Sequence, residues 1–142
     1  VVKNESKRLP HGFIKENIRT RNLTLQNALL VAVSQIASNG ILLPKDIIDL
    51  CFSRMDETFL AGTVVVNSCS CLTAADYILN SLNSSNMPSI ELTLKILIQI
   101  CKHEKLRPKM KKVMEKLYLP RYNDDIAKAI DKIYEIIDKK HV

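Results

Sequence analysis

The chain has 142 residues, a net charge of +6, 46% hydrophobic residues, and only 3 Gly and 5 Pro. That is enough for one domain with a sizeable core, and little of it is forced into turns. Two uncharged stretches, Leu23–Pro44 and Thr58–Ala75, are interrupted by Gln26, Asn27, Gln35, Asn39, Gly40 and Asn67. Neither supplies the ~20 predominantly apolar residues of a membrane span. The opening VVKNESKR lacks the apolar core of a signal peptide. The chain starts at Val1 without Met, so a fragment or processed product of a longer polypeptide is expected.

Residues 1–22 are polar and basic, broken by Pro10 and Gly12, and read as an arm or one short helix around Phe13–Ile18. A helix is predicted over 25–38, where Leu25, Leu29, Ala32, Val33 and Ile36 recur at three and four residues and Gly40 stops the run. Pro44 suits the first turn of the next helix, over 45–55, with a stripe of Ile47, Ile48, Cys51, Phe52 and Met55. Residues 58–71 read as helix, with a strand as the alternative because Val64, Val65 and Val66 are β-branched. Thr73, with Asp76 three residues on, resembles a capping box opening a helix over 74–85, its inward residues Ala75, Ile78, Leu79 and Leu82.

Pro88 and Ser89 open the most hydrophobic helix, 90–103, apolar nearly all round and so expected to be the most buried element. Pro108 opens a helix over 108–118, with Met110, Val113, Met114 and Leu117 inward and Lys109, Lys112 and Lys116 outward. Asn123 caps a last helix, 124–140, with the inner stripe Ile126, Ile130, Ile133 and Ile137.

The helix-start residues Thr24, Thr58, Ser89 and Asn123 recur at spacings of 34, 31 and 34 residues. That is the length of one helix-turn-helix unit. The expected fold is therefore all-α: a right-handed array of αα-hairpins (a helical repeat, or α-solenoid) of about seven helices and no sheet. Residues 23–142 would form a single repeat domain, with 1–22 as its basic arm.

Pro88-Ser89 followed by Thr93-Leu94-Lys95-Ile96-Leu97-Ile98 and Cys101, and Thr24-Leu25 followed by Asn27-Ala28-Leu29-Leu30, have the look of a repeat's first helix. Ile47, Leu50, Phe52 and Met55, and Ala75–Leu79 running to Met87-Pro88, have the look of its second. Together they resemble pentatricopeptide repeats, relatives of the tetratricopeptide repeats, over about residues 24–120. The resemblance implies binding of single-stranded RNA along the inner face of the first helices, one base per repeat. Asn27 would match the base-reading position, which Lys95 occupies in the later unit; Gln99 is a further inner-face candidate.

Charge is unevenly spread: +4 over residues 1–21, −3 over 22–101, +6 over 102–121 and −1 over 122–142. Lys102, Lys105, Arg107, Lys109, Lys111, Lys112, Lys116 and Arg121 are the candidate polyanion contacts, since clustered positive charge attracts nucleic acid or acidic protein. The bland alternative is a solvated basic face. Met110 and Met114 on the same helix also invite a calmodulin-target reading, against one in which both are core.

No catalytic constellation emerges: His11, His103 and His141 are far apart and have no motif partner. Cys69, Cys71, Cys101 and His103 match no common zinc spacing, so neither metal nor cofactor is expected. Cys51 and Cys101 fall in apolar stripes, as free buried thiols do. Three N-x-S/T sequons, at Asn4, Asn22 and Asn83, hint at secretion, but ten Asn in a Ser-rich chain produce some by chance. A reducing, intracellular setting is the expectation. The expected function is a non-enzymatic interaction module, binding a protein partner or neighbouring repeats; the runner-up is single-stranded RNA.

Overall fold

The computed structural model describes residues 11–19 and 22–138. Among them are eight α-helices and no strand: α1 (His11–Ile18), α2 (Leu23–Ser38), α3 (Lys45–Arg54), α4 (Phe59–Ser68), α5 (Leu72–Ser81), α6 (Ile90–Ile100), α7 (Arg107–Lys116) and α8 (Asp124–Ile137). One 3-10 turn, Glu104–Leu106, leads into α7. The fold is all-α. Expectations for residues 1–10, 20–21 and 139–142, His141 included, fall outside the described residues.

Side-chain caps start three helices. Leu25 N donates to Asn22 Oδ1 at 3.2 Å, Leu92 N to Ser89 Oγ at 3.5 Å, and Ile126 N to Asn123 Oδ1 at 2.9 Å. The first cap is thus Asn22, not Thr24, which lies inside the first turn. Thr58 holds the N-cap position of α4 without a side-chain cap bond. The capping box expected at Thr73 does not form. Ala75 N reaches Cys71 O at 2.8 Å, so α5 begins at Leu72 and Asp76 is free to meet another helix. Gly40 takes φ +77 just past α2, a left-handed turn that a residue without Cβ makes at little cost.

Residues 59–68 are helical, which removes the strand alternative. Helix formation sets Val64 and Val65 against slightly unfavourable β-branched propensity, ~0.5 kcal/mol each. Burial of each returns ~1.5–3 kcal/mol, and both are fully buried. Packing wins.

The even-numbered helices touch in series, α2 on α4, α4 on α6 and α6 on α8. The odd-numbered ones lie alongside: α1 meets α2 and α3, α3 meets α4, and α5 meets α4, α6 and α7. Side-chain ties cross between them at sequence separations of 33 to 36 residues. His11 Nε2 meets Asp46 at 2.6 Å, Arg54 Nη1 donates to Ile18 O, Asn67 Nδ2 donates to Ser34 Oγ at 2.9 Å, and Ser70 Oγ donates to Ala37 O at 3.1 Å. Further along, Ser89 N donates to Asp56 Oδ1 at 3.1 Å, His103 Nε2 donates to Cys69 O at 2.6 Å, and Lys109 Nζ donates to Asp76 Oδ1 at 2.5 Å.

One apolar cluster runs from Ile14 and Ile18 of α1 through to Ile130 and Ile133 of α8. Helix α6 buries Leu94, Ile96, Leu97 and Ile100, as its composition suggests, but it does not hold the centre alone. Helix α4 packs on α2, α3, α5 and α6, because Ala61, Gly62 and Ser68 are small enough for neighbours to approach closely.

Leu97 is fully buried in α6. Truncation to Ala should destabilise by about 2–5 kcal/mol through lost burial and a residual cavity, whereas Lys112→Ala on the exposed face of α7 should change stability by at most ~0.5 kcal/mol. Denaturant titrations of the two variants beside the parent check this; equal midpoints would misplace the core.

Candidate functional site

Half of the candidate polyanion contacts are occupied within the chain. Arg107 Nε donates to Cys101 O at 3.1 Å and its Nη1 lies 3.9 Å from Glu104. Lys109 pairs with Asp76, Lys111 with Asp138 at 3.3 Å, and Arg121 with Asp131 at 2.5 Å. Lys102, Lys105, Lys112 and Lys116 remain exposed, and no ion pair engages them among the described residues. Lys112 and Lys116 stand one turn apart on α7, on the face opposite Met110 and Met114. Those two methionines are buried, which removes the methionine face that a calmodulin target would present.

The inner-face candidates lie elsewhere. Asn27 is exposed on α2; on α6, Lys95 is exposed and Gln99 half-buried. Lys95 lines a depression of about 150 Å3 between α4 and α6, together with Phe59, Gly62, Thr63, Val66 and Leu92. A Cβ on Gly62 would come to 3.0 Å from Leu92 Cδ2, so the end of that leucine side chain would have to shift slightly to accept it. Asn27 and Lys95 therefore sit on the row of even-numbered helices. The open lysines sit on α7 and the segment leading into it, packed on α5 and α8. The structure does not gather the two groups into one site.

The uncharged stretches seen in the sequence form part of the even-numbered row, but the residues they expose were not named from sequence. Helices α2 and α4 contain no charged residue. They nevertheless expose Leu23 at 67%, Val31 at 42% and Phe59 at 77%. Phe59 opens α4 off the buried stripe of Ala61, Val64, Val65 and Ser68, and that off-stripe position was the available signal. A second missed feature is a cleft of about 560 Å3 between α3, α5 and the segment before α6. Asp49, Phe52, Asp56, Asn80, Asn86 and Met87 contribute to its lining. The segment is shaped by Asn83, whose Oδ1 accepts from Ser85 N at 3.0 Å and from Asn86 N at 2.9 Å.

The reactive side chains are held apart. His103 donates its Nε2 proton to a backbone carbonyl, and His11 pairs with Asp46. No hydrogen bond among the described residues joins either ring to a hydroxyl or thiol. Among those residues no three His, Cys, Asp or Glu side chains converge to hold a metal. Burial pushes the Cys51 thiol up to about 12 against the opposing pull of Arg54, and burial alone does the same for Cys69. Burial also raises the Cys101 thiol, again against an arginine, Arg107.

Comparison with protein-family models, with curated proteins and with solved structures returns no match. The site must be read from its own chemistry.

The thiols give a direct check. Native chain at pH 8 should be alkylated first at Cys71, which is partly exposed, and only after unfolding at Cys51 and Cys69. Because both buried thiols titrate higher in the folded state, the stability tied to their protonation is full below pH 9. It falls as pH rises towards 12. Mass mapping of alkylated peptides reads the order, and rapid native labelling of Cys69 would contradict the packing of α4.

Proposed function

We propose that this chain is a non-enzymatic helical-repeat module that binds a protein partner, acting as a scaffold segment of a larger intracellular polypeptide. The observation that carries the reading is the uncharged outer surface of α2 and α4, with Phe59, Val31 and Leu23 exposed on it. Apolar side chains displayed where charge is sparse are what a docking polypeptide buries, and among the described residues Lys95 of α6 is the one charged side chain lining the depression beside Phe59. The side-chain ties at 33- to 36-residue separations support a repeating αα unit. So does the serial contact of the even-numbered helices. In this reading α8 serves as a cap, its inner side being Ile126, Ile130 and Ile133 and its outer side charged.

Affinity capture with the wild-type chain should recover a polypeptide partner that Phe59→Asp loses, while the variant keeps its melting temperature because Phe59 is exposed. A large drop in capture is expected, since truncating a central aromatic anchor commonly costs about 2 kcal/mol or more of binding. A partner retained in full by Phe59→Asp would move the interface off the even-numbered row.

Single-stranded RNA is the second reading, favoured by the four open lysines Lys102, Lys105, Lys112 and Lys116. Asn27 and Lys95 lie on the other row, so this contact would be to phosphates and not to bases. A mobility shift with a single-stranded oligonucleotide should weaken steeply with salt and fall further in Lys112→Glu/Lys116→Glu. Absence of any shift at low salt ends the RNA reading.

A further inference from the structure

The cleft between α3, α5 and the segment before α6 runs against the electrostatic sign of the molecule. The chain as a whole carries +6, yet the cleft is walled by Asp49 and Asp56 and contains no basic side chain. Each carboxylate uses one oxygen internally. Asp49 Oδ1 accepts from the Tyr77 hydroxyl, and Asp56 Oδ1 accepts from Ser89 N at 3.1 Å. Each Oδ2 is left without a hydrogen bond among the described residues. These internal bonds fix the direction of both carboxylates before any ligand arrives, which lowers the ordering penalty of binding.

The remaining lining is of two kinds. Phe52 and Met87 give an apolar surface, half-buried and accessible from the cleft. Asn80 and Asn86, both exposed, are also among the lining residues. The volume, about 560 Å3, falls within the range of ligand pockets, ~300–1,000 Å3. Apolar side chains, two fixed carboxylates and amide side chains in one cleft suit a cationic side chain on an extended polypeptide. An arginine or lysine lays its aliphatic stem on aromatic and thioether surface and its cationic head on carboxylate oxygens. The amides meanwhile hydrogen-bond an extended backbone. A phosphodiester chain is repelled by the same carboxylates.

We propose that this cleft receives an extended segment of a partner polypeptide carrying an arginine or lysine, held by Asp49 and Asp56 over Phe52 and Met87. The cleft is lined by α3, α5 and the segments around Asp56 and Met87, and it shares no lining residue with the exposed face of α2 and α4. The inference therefore goes beyond the reading above and is tested separately from it.

The test is a selection of random twelve-residue displayed peptides on the full chain and, in parallel, on Asp49→Asn/Asp56→Asn. Asparagine can still accept from Tyr77 and from Ser89 N, so the local hydrogen bonds survive. Unchanged melting temperature and circular dichroism show that the variant folds; if it unfolds, Asp56→Asn alone takes its place. The wild-type chain should enrich peptides bearing Arg or Lys beside an apolar residue, in spite of its own positive charge, and the variant should not. A blocked synthetic peptide of the enriched sequence should bind the variant at least tenfold more weakly, and should weaken similarly when its arginine is replaced by neutral citrulline. Asp124→Asn/Asp125→Asn, which removes the same charge from the start of α8, should leave its affinity unchanged. Lack of basic enrichment overturns the proposal, as does equal binding to the Asp49/Asp56 variant. Competition by oligouridine at the cleft would overturn it in favour of RNA. Loss of a captured partner in Phe59→Asp, with no effect of Asp49→Asn/Asp56→Asn on any peptide, would sink this proposal and leave the one on α2 and α4 standing.

Discussion

The close packing of α4 is the constraint on which the other helices depend. Four neighbours meet it, and its inward residues are small or β-branched: Ala61, Gly62, Val64, Val65 and Ser68. Small residues bring helix axes together, and the β-branched ones fill the remaining space with few rotamers to lose. Gly62 shows how tight the fit is, since even a methyl group there would press on Leu92. Once α2 and α6 are drawn to opposite flanks of α4, the residues pointing away from both contacts are left at the surface. Phe59 and Lys95 are therefore exposed by the same packing that buries Val64 and Val65.

Polar ties then fix how the remaining helices sit. Exposed ion pairs such as Arg121–Asp131 contribute little each, ~0–1 kcal/mol. Their larger effect is on what the surface offers to others. Lys109 and Lys111 point at Asp76 and Asp138, so charge that reads in sequence as one basic run is spent partly inside the molecule. Most of the buried polar groups serve the backbone: Gln26 Nε2 donates to Ile18 O at 2.5 Å and the Ser68 hydroxyl to Val64 O at 2.7 Å, while the Ser34 hydroxyl accepts from Asn67 Nδ2. Among the described residues no buried side-chain nitrogen or oxygen lacks a partner.

Helix existence was legible for α2, α3 and α5 to α8, because the apolar stripes recur at three and four residues and the proline and glycine punctuation is sparse, whereas α4 kept a strand alternative and α1 an unstructured-arm alternative. Boundaries were less so. Asn22 and Thr24 are both competent caps, and the choice between them rests on a backbone turn that side-chain identity does not report. Cys71 starts α5 with no side-chain cap at all, which no capping rule anticipates. The eighth helix, α1, is short and polar by composition, and its two buried isoleucines matter only because α2 and α3 are there to receive them. For the surfaces, the basic cluster was readable but its neutralised half was not, since Asp76 lies 33 residues from Lys109. The cleft was invisible for the same reason: Asp49 and Asn86 belong to different elements and meet only through the fold.

These placements separate three chemistries that the sequence presents as one chain of mixed charge. Helices α2 and α4 show apolar and amide groups, α7 and its leading segment show lysines, and the α3–α5 cleft is lined by carboxylates together with aromatic and thioether side chains. Separation has a physical consequence. Exposed charges more than a Debye length apart, ~8 Å at physiological salt, are largely screened from each other, and no basic side chain lines the cleft beside its carboxylates. A ligand with one sign of charge is then steered to one region and repelled from the other, and specificity arises from what is refused as much as from what is bound. A single polypeptide partner could use more than one of these surfaces. In that case two weak contacts on a rigid helical frame would act at high effective concentration, and each could remain individually weak without the assembly being so.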